Sequence, residues 1–245
     1  MLQHTWYSLG RLAVAGYARS MLKVDISRHA PLPAGPKIIA ANHPTTTDPF
    51  YVTLLTSEPV HILITEMCFH IPVVGQSLRL AGHVPVVDGS GHTALEQAVL
   101  LLRSGQTVAI FPEGALSPAD GSVHRSHTGV ARMALMAGVP VIPVGISLEP
   151  RRIWQVDTTV RGKTEVARYY LRGPYAMTVG EPMRFAGDAE DRVYVRSVSG
   201  RVMQQVALLA RESARRLVAS PAPDSGVHYP VKVPNAGREL LTAGR

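Results

Sequence analysis

Short apolar runs alternate along the chain with stretches in which apolar residues recur at helical spacing. The runs predict strands at 37–41, 60–64, 83–87, 106–111, 140–147 and 175–179. Helical spacing predicts helices at 49–57, 92–104, 127–137 and 188–219, and a helical or irregular segment near 71–80. This alternation predicts an α/β fold in which a mostly parallel mixed sheet is flanked by helices.

Two segments indicate how the sheet is covered. The strand at 140–147 is apolar on both faces, which is typical of a central strand with helices on either side. The long C-terminal helix at 188–219 carries one apolar stripe, which would pack on the domain. That stripe contains Val195, Val198, Val202, Val206 and Leu209.

The N-terminal residues 5–22 predict an amphipathic helix. Its apolar positions are Trp6, Leu9, Leu12, Ala13, Gly16, Tyr17 and Met21, and Arg11, Arg19 and Lys23 lie elsewhere on the helical wheel. Such a helix can lie in the interface of an anionic membrane. It can equally pack its apolar face on the domain, and the sequence leaves both roles open.

Composition narrows the class of protein. With 245 residues, 46% of them apolar and 18% charged, the chain resembles one folded domain rather than a disordered segment. Its formal net charge of +7 favours an anionic partner, such as acidic lipid or a phosphorylated substrate. Nucleic acid is not an expected partner, because the arginines are scattered and aromatic residues are few.

The sequence lacks the usual features of a secreted or membrane-spanning protein. Cys68 is the only cysteine, so an intramolecular disulfide is excluded, and its apolar neighbours predict a buried, inert thiol. The sequence contains no recognisable secretory signal and no uncharged apolar run of membrane-spanning length. We therefore expect a cytoplasmic protein that associates with a membrane only at its surface.

Candidate chemistry lies directly behind the strand at 37–41. His43 is followed five residues later by Asp48, and an imidazole oriented by a carboxylate is suited to take a proton from a hydroxyl. Asp48 has an alternative role as a helix N-cap, because Pro49 follows it. His124 and His127 could contribute to a metal site, but no carboxylate or cysteine pattern accompanies them, so no metal is expected.

Two further runs share the strand-end position. Phe111-Pro112-Glu113-Gly114 ends the strand at 106–111, and Val139 to Val144 forms a strand with two prolines. Ligand sites of open α/β sheets gather at the carboxyl ends of strands. Phe111–Gly114 and the His43 loop are therefore expected at one cleft.

In combination, these motifs resemble the glycerolipid acyltransferase family, typified by 1-acylglycerol-3-phosphate acyltransferase. The resemblance rests on four motifs in order: Asn-His-x-x-x-x-Asp at Asn42, Gly-x-x-x-x-x-Asp at Gly82, Phe-Pro-Glu-Gly at Phe111, and Val-Pro-Val-Ile-Pro-Val at Val139. It covers residues 36–183, ending in Gly180-Glu181-Pro182.

The resemblance implies an O-acyltransferase that uses acyl-CoA or acyl-carrier protein as cosubstrate, with no metal and no other cofactor. His43 would be the general base that deprotonates the acceptor hydroxyl, and Asp48 would orient it. Substrate contacts are expected around this pair, and the backbone amides of the turns at Thr45–Asp48 and Gly114 are candidates for stabilising the oxyanion. The expected substrate-binding residues are Asn42, Thr45, Glu113, Gly114 and Arg125.

Several family positions have changed. Basic residues that hold the acceptor's phosphate in the family are replaced here by Thr65, Gly89 and Leu116, and Ala115 stands in place of a threonine. Each lost charge-assisted contact costs about 1.5–3 kcal/mol. We therefore expect an acceptor without the usual glycerol phosphate.

Three alternatives remain. One is a lysophosphatidic acid acyltransferase with a rearranged phosphate site, built from Arg79, Arg125, His124 or His127. Another is an inactive acyl-CoA- or lipid-binding protein. The third is a thioester hydrolase, although the chain has no Gly-x-Ser-x-Gly nucleophile elbow.

The expected organisation has four parts. Residues 1–30 form the amphipathic helix and a linker, and residues 31–186 form the acyltransferase domain. The linker segment at 27–36 spans the boundary between these two parts and leads into the core. Residues 187–219 form the C-terminal helix packed on that domain, and residues 220–245 form a flexible tail rich in Pro and Gly.

Overall fold

The protein is described by a computed structural model that covers residues 2–160 and 163–219. The helices of this part are α1 (Leu2–Met21), α2 (Asp48–Val52), α3 (Val74–Leu80), α4 (Gly91–Arg103), α5 (Gly129–Ala137) and α6 (Arg192–Ala219). The strands are β1 (Leu22–Arg28), β2 (Ile38–Ala41), β3 (Val60–Thr65), β4 (Val84–Val86), β5 (Thr107–Ile110), β6 (Val141–Leu148), β7 (Ile153–Val160), β8 (Lys163–Tyr170) and β9 (Gly173–Val179). Short 3₁₀ turns follow α2, β3 and β6 at Thr53–Leu55, Glu66–His70 and Pro150–Arg152.

Seven strands form the main sheet, in the order β1-β9-β6-β2-β5-β3-β4. From β6 to β4 every pair of neighbours is parallel, whereas β9 runs antiparallel to β6 and β1 runs parallel to β9. Strands β7 and β8 form a separate antiparallel hairpin. The predicted fold class, a mostly parallel mixed sheet flanked by helices with a long C-terminal helix, is confirmed.

Apolar clusters cover both faces of the sheet. In β6, Ile142, Val144 and Ile146 belong to the cluster shared with α1, β1 and β9, while Val141 belongs to the cluster shared with α4, α5 and α6. The prediction that this strand is covered on both faces is therefore confirmed. The predicted stripe of α6 is likewise buried at all five positions.

A glycine allows α6 to approach the sheet closely. A Cβ at Gly145 of β6 would lie 2.0 Å from the backbone nitrogen of Ala210. Nearby, the Ser213 hydroxyl donates to the Gly145 carbonyl across 2.8 Å. Helix and strand therefore meet backbone to backbone at this point, which fixes the position of α6.

Three strands were not predicted from the sequence. Residues 22–28 alternate apolar and polar side chains and form β1, which pairs with β9, so the linker begins only after Arg28. The hairpin β7–β8 lacks a continuous apolar run, because many of its positions are polar or charged.

Cys68 is half-buried in the turn after β3 rather than buried as predicted. The predicted tail at 220–245 lies outside the described residues.

Helix α1 packs on the domain through a different face from the predicted one. Tyr7 and Ala18 are buried, Val14 packs against the core, and Arg11 donates to the Thr53 carbonyl across 3.2 Å. The residues predicted as the apolar face are mostly exposed, among them Trp6, Leu9, Leu12, Tyr17 and Met21. One face of α1 is thus packed, and a second apolar face is open.

Among the described residues, none of the helices combines the length and the apolar character of a membrane-spanning segment.

Candidate active site

The two predicted motifs meet at one edge of the sheet. Strands β2 and β5 are neighbouring and parallel, with Ala40 opposite Ile110, so the residues that follow each strand leave the sheet side by side. His43 follows β2, and Phe111 follows β5. The imidazole of His43 stacks on the Phe111 ring, with a centroid separation of 4.2 Å.

His43 and Asp48 form a hydrogen-bonded pair. Nδ1 of His43 lies 3.2 Å from Oδ2 of Asp48, and the two side chains are 18% and 0% exposed. Because Nδ1 faces the carboxylate, Nε2 is the ring nitrogen left to exchange a proton with a ligand. The pair therefore has the arrangement of a general base and the carboxylate that orients it.

The carboxylate of Asp48 does not cap helix α2. Asp48 is the first residue of that helix, and Thr47 occupies the cap position without a side-chain hydrogen bond. Besides His43, the donors to Asp48 are the Thr45 backbone N–H at 2.6 Å, the Thr45 hydroxyl at 2.7 Å and the Tyr175 hydroxyl at 2.7 Å. Four converging donors provide the environment that a buried carboxylate requires.

Tyr175 is a site residue that the sequence did not reveal. It belongs to β9, is completely buried, and lies far along the chain from the Asp48 that its hydroxyl contacts. Burial, followed by the nearby charge of Asp48, raises the pKa of Tyr175 well above its usual value. Tyr175 therefore stays protonated and acts as a permanent donor to Asp48. Tyr175 lies within an apolar strand and belongs to no local motif with His43, so the sequence alone does not link the two residues.

Glu113 and Ser117 hold the backbone of His43. Oε1 of Glu113 accepts from the His43 backbone N–H at 3.0 Å and from the Ser117 hydroxyl at 2.6 Å. Ser117 also donates its own N–H to the His43 carbonyl across 2.7 Å, while Oε2 of Glu113 accepts from the His124 backbone N–H at 2.8 Å. The loop after β5 thus clamps the loop that carries His43.

Asn42 and Thr45 are likewise bonded within the protein. The Asn42 amide exchanges two hydrogen bonds with the backbone of Ile146 in β6, at 2.9 and 2.7 Å. Thr45 is buried and donates twice to Asp48. With Glu113, these side chains support the His43–Asp48 pair, and their contact with substrate stays a prediction.

Gly114 and Arg125 lie on the exposed side of the same loop. Gly114 has a φ of +68°, and a Cβ there would lie 2.7 Å from the His127 ring, so glycine is required at this turn. Arg125 is exposed and makes no hydrogen bond or ion pair with any described residue. Its role in binding substrate stays a prediction.

The described residues contain no cluster of three or more His, Cys, Asp or Glu side chains that could hold a metal.

A second residue that the sequence missed is Arg168 of β8. The Thr46 backbone N–H donates to the Arg168 carbonyl at 2.7 Å, and the Arg168 N–H donates to the Thr46 hydroxyl at 3.0 Å. Its guanidinium donates to the Ser117 carbonyl at 2.6 Å. The hairpin therefore joins the loops that carry His43 and Glu113.

The described geometry agrees with a known family. The model of the Acyltransferase family matches residues 23–147, just over half of the chain. The chain belongs to the acyltransferase family. The glycerolipid acyltransferase resemblance predicted from the motifs is thereby confirmed, and the family match includes both the His43 loop and Phe111–Gly114.

Relatives of this acyltransferase include named enzymes. A 1-acyl-sn-glycerol-3-phosphate acyltransferase of Chlamydomonas reinhardtii is 33% identical over 46% of this chain and 35% of its own length. One of Borreliella burgdorferi is 30% identical over 44% of each chain. An N-acylphosphatidylethanolamine synthase of Arabidopsis thaliana is 25% identical over 62% of this chain and 57% of its own. The matches thus cover less than two thirds of each of these relatives.

A solved structure shares the fold of this acyltransferase. The crystal structure of the 1-acyl-sn-glycerophosphate acyltransferase from Thermotoga maritima superposes with a TM-score of 0.54 and 24% identity. The superposition covers 83% of this chain and 79% of that chain.

The altered family positions of this acyltransferase lie along the edge that carries His43. Thr65 ends β3, Gly89 follows β4, and Ala115 and Leu116 follow β5. All three strands are parallel to β2, so their carboxyl ends share its edge. The basic side chains that the resemblance implies for binding phosphate are therefore absent from these strand ends.

Proposed function

We propose that the protein transfers a fatty acyl group from an acyl thioester, acyl-CoA or acyl-carrier protein, to a hydroxyl of a glycerolipid or related lipid-like acceptor. The observation that carries this proposal is the His43–Asp48 pair, in which a wholly buried carboxylate with four donors orients a partly exposed imidazole. The relatives that are named 1-acyl-sn-glycerol-3-phosphate acyltransferases support the same chemistry.

In the proposed reaction, Nε2 of His43 removes the proton of the acceptor hydroxyl as its oxygen attacks the thioester carbonyl. Asp48 stabilises the imidazolium that forms. Collapse of the tetrahedral intermediate breaks the carbon–sulfur bond, and the imidazolium returns the proton to the leaving thiolate. Because a thioester is already activated, the protein mainly supplies alignment and the base, which contributes roughly 10²–10⁴-fold.

The oxyanion needs donors that are not used elsewhere. The backbone N–H groups of Thr45, Thr46 and Asp48 all donate within the protein, and that of Gly114 donates to the Phe111 carbonyl. In the 45–48 turn, Thr47 is the residue whose N–H has no hydrogen-bond partner among the described residues. We assign this amide as the stabilising donor for the oxyanion.

The acceptor is proposed to lack a glycerol phosphate held in the usual way. Thr65, Gly89 and Leu116 offer no charge where the resemblance implies basic residues, and they lie at or beyond the carboxyl ends of β3, β4 and β5. The alternative is a phosphate site rearranged around residues such as Arg79 and His127, and both side chains have other contacts. Arg79 lies over the Phe69 ring, and the His127 ring packs against Gly114. The N-acylphosphatidylethanolamine synthase among the relatives makes an amine acceptor a second candidate.

An acceptor panel tests this function. Labelled acyl-CoA and acyl-carrier protein are each offered with lysophosphatidic acid, uncharged lipid alcohols and phosphatidylethanolamine, and the products are separated and identified. We expect acylation of an acceptor without a glycerol phosphate monoester. Strong activity on lysophosphatidic acid and little on the others would overturn the altered acceptor, and free fatty acid without acceptor would indicate a hydrolase.

The proposed site of action is a membrane surface. The open face of α1 presents Leu9, Leu12 and Met21 with Arg19 and Lys23 nearby, which suits an anionic lipid interface. Helix α1 also contacts α2, whose first residue is Asp48, so the helix proposed to bind lipid packs on the element that carries Asp48.

A further inference from the structure

The guanidinium of Arg168 lies within two hydrogen bonds of the His43 backbone. It donates to the Ser117 carbonyl at 2.6 Å, and Ser117 bonds both backbone groups of His43, through its hydroxyl at 2.9 Å and its N–H at 2.7 Å. The Arg168 backbone is fixed as well, by the two hydrogen bonds to Thr46. The charge is therefore held in place beside the His43–Asp48 pair.

This charge has no anionic partner among the described residues. Its other contact is a long one, from Nε to the neutral Gln155 amide at 3.4 Å, so most of its five N–H groups are unused. Some other partly buried arginines face a carboxylate, Arg152 that of Glu149 and Arg216 that of Asp25, whereas Arg11 also donates to a backbone carbonyl. An arginine that is half-buried, fixed and unpaired at a site has the properties of a receptor for an anion.

We propose that Arg168 binds a phosphate of a substrate next to His43. The planar guanidinium suits phosphate oxygens, and the unused N–H groups can form the fork that recognises them. The position differs from those at Thr65, Gly89 and Leu116, so it supplies positive charge from the hairpin instead of from the sheet edge. This inference rests on the proposed function. The phosphate belongs either to the pantetheine-linked nucleotide of the donor or to the acceptor's headgroup.

Direct binding tests the inference without turnover. In a His43→Ala background, the Kd values for coenzyme A, inorganic pyrophosphate and glycerol 3-phosphate are measured by calorimetry, with and without Arg168→Gln. We expect Arg168→Gln to weaken at least one of them by about 10- to 100-fold. Arg103→Gln is the matched control, because Arg103 also donates to a backbone carbonyl, that of Met136 at 2.8 Å. Arg103 ends α4 ahead of the N-terminal end of β5, so it lies at the end of the strands opposite to His43.

The pattern of losses identifies the source of the phosphate. Weaker coenzyme A binding alone assigns Arg168 to the donor, and weaker glycerol 3-phosphate binding alone assigns it to the acceptor. In the active protein, a donor role also raises the KM for acyl-CoA but not for an acyl thioester of N-acetylcysteamine, which carries no phosphate. These binding constants do not depend on catalysis, so failure of the acyl-transfer proposal would be seen separately, in the acceptor panel.

Two results would overturn the inference. One is that none of the three ligands binds the parent protein. The other is that Arg168→Gln leaves every Kd unchanged and lowers only Tm, which would limit Arg168 to joining the loops. If Arg168→Gln does not fold, Arg168→Lys replaces it. Lysine keeps the charge without the fork, so Kd should weaken several-fold, and an unchanged Kd would again be contrary.

Discussion

At the scale of single residues, the site depends on how Asp48 is kept in the interior. Its carboxylate is fully buried, and its donors come from its own loop through Thr45 and from β9 through Tyr175. A buried carboxylate of this kind is stable only while its hydrogen bonds are complete. The orientation of His43 thus relies on a strand far along the chain.

The Tyr175 hydroxyl can be removed with little change of shape. Tyr175→Phe deletes a hydrogen bond to a charged group, so we expect the free energy of unfolding to fall by about 1.5–3 kcal/mol and kcat to fall with it. Urea unfolding and initial rates measure the two effects. Tyr170→Phe is the control, because Tyr170 is also buried but donates to the neutral Pro174 carbonyl across 2.7 Å. Equal losses in the two variants would contradict this role of Tyr175.

Protonation of His83 makes the stability of the fold depend on pH. Burial, followed by the nearby His61, lowers the pKa of His83 from 6.5 to about 4. Its Nδ1 accepts from the Ile62 N–H at 3.2 Å, which requires an unprotonated nitrogen. Between pH 6.5 and about 4, the unfolded chain binds this proton and the folded protein does not. Stability is therefore complete above pH 6.5 and declines as pH falls towards 4, by up to about 3 kcal/mol.

Urea unfolding at pH 7 and pH 5 measures this effect. We expect His83→Gln to lose less stability than the parent protein over this interval, because the variant has no imidazole to protonate at that position. The same pH slope in both proteins would show that other groups cause the decline.

Residue patterns predicted only part of this site. His43 and Asp48 are five positions apart, so a local motif revealed them, and the structure shows their contact. Tyr175 lies 127 positions from Asp48, and Arg168 lies 51 positions from Ser117. Contacts of this range depend on which strands become neighbours, which no local spacing records.

At the scale of elements, α1 packs on the domain through one face and leaves a second apolar face exposed. Tyr7, Val14 and Ala18 pack inward, and the predicted apolar face points away from the core. The sequence could not choose between the faces, because both carry apolar residues. Strand β1 continues directly from α1 and joins the sheet, so removing this whole region would also remove an edge strand.

A point substitution therefore tests the membrane face better than a truncation. Leu12 is 68% exposed, and Leu12→Glu should weaken sedimentation with anionic vesicles by about 10-fold or more, with Tm unchanged. Leu100→Glu on α4 is the matched control, because Leu100 is 65% exposed. Equal binding by the two variants would mean that this face of α1 does not contact lipid.

At the scale of the whole molecule, the parallel sheet assembles the site. The motifs at Asn42–Asp48 and Phe111–Gly114 meet because β2 and β5 are parallel neighbours. The sequence predicted these two strands, but it could not give the strand order or the antiparallel edge formed by β9 and β1. Those features arise from packing between distant segments, and they place Tyr175 beneath Asp48.

The proposed change of acceptor also belongs to this scale. Of the positions without basic side chains, Thr65 ends β3, and Gly89 and Leu116 follow β4 and β5, at the carboxyl ends of the parallel strands. Arg168 reaches the same region from the hairpin. If both proposals hold, positive charge for a substrate phosphate comes from the hairpin, beside an unchanged His43–Asp48 pair.

The most direct measurement is the turnover of the His43→Ala protein. Thiol release from acyl-CoA is followed with the preferred acceptor, beside His92→Ala, whose imidazole is exposed on α4. We expect a fall in kcat of roughly 10²–10⁴-fold for His43→Ala, with unchanged circular dichroism, and no change for His92→Ala. Turnover by His43→Ala equal to that of the parent protein would contradict the assignment of His43 as the base.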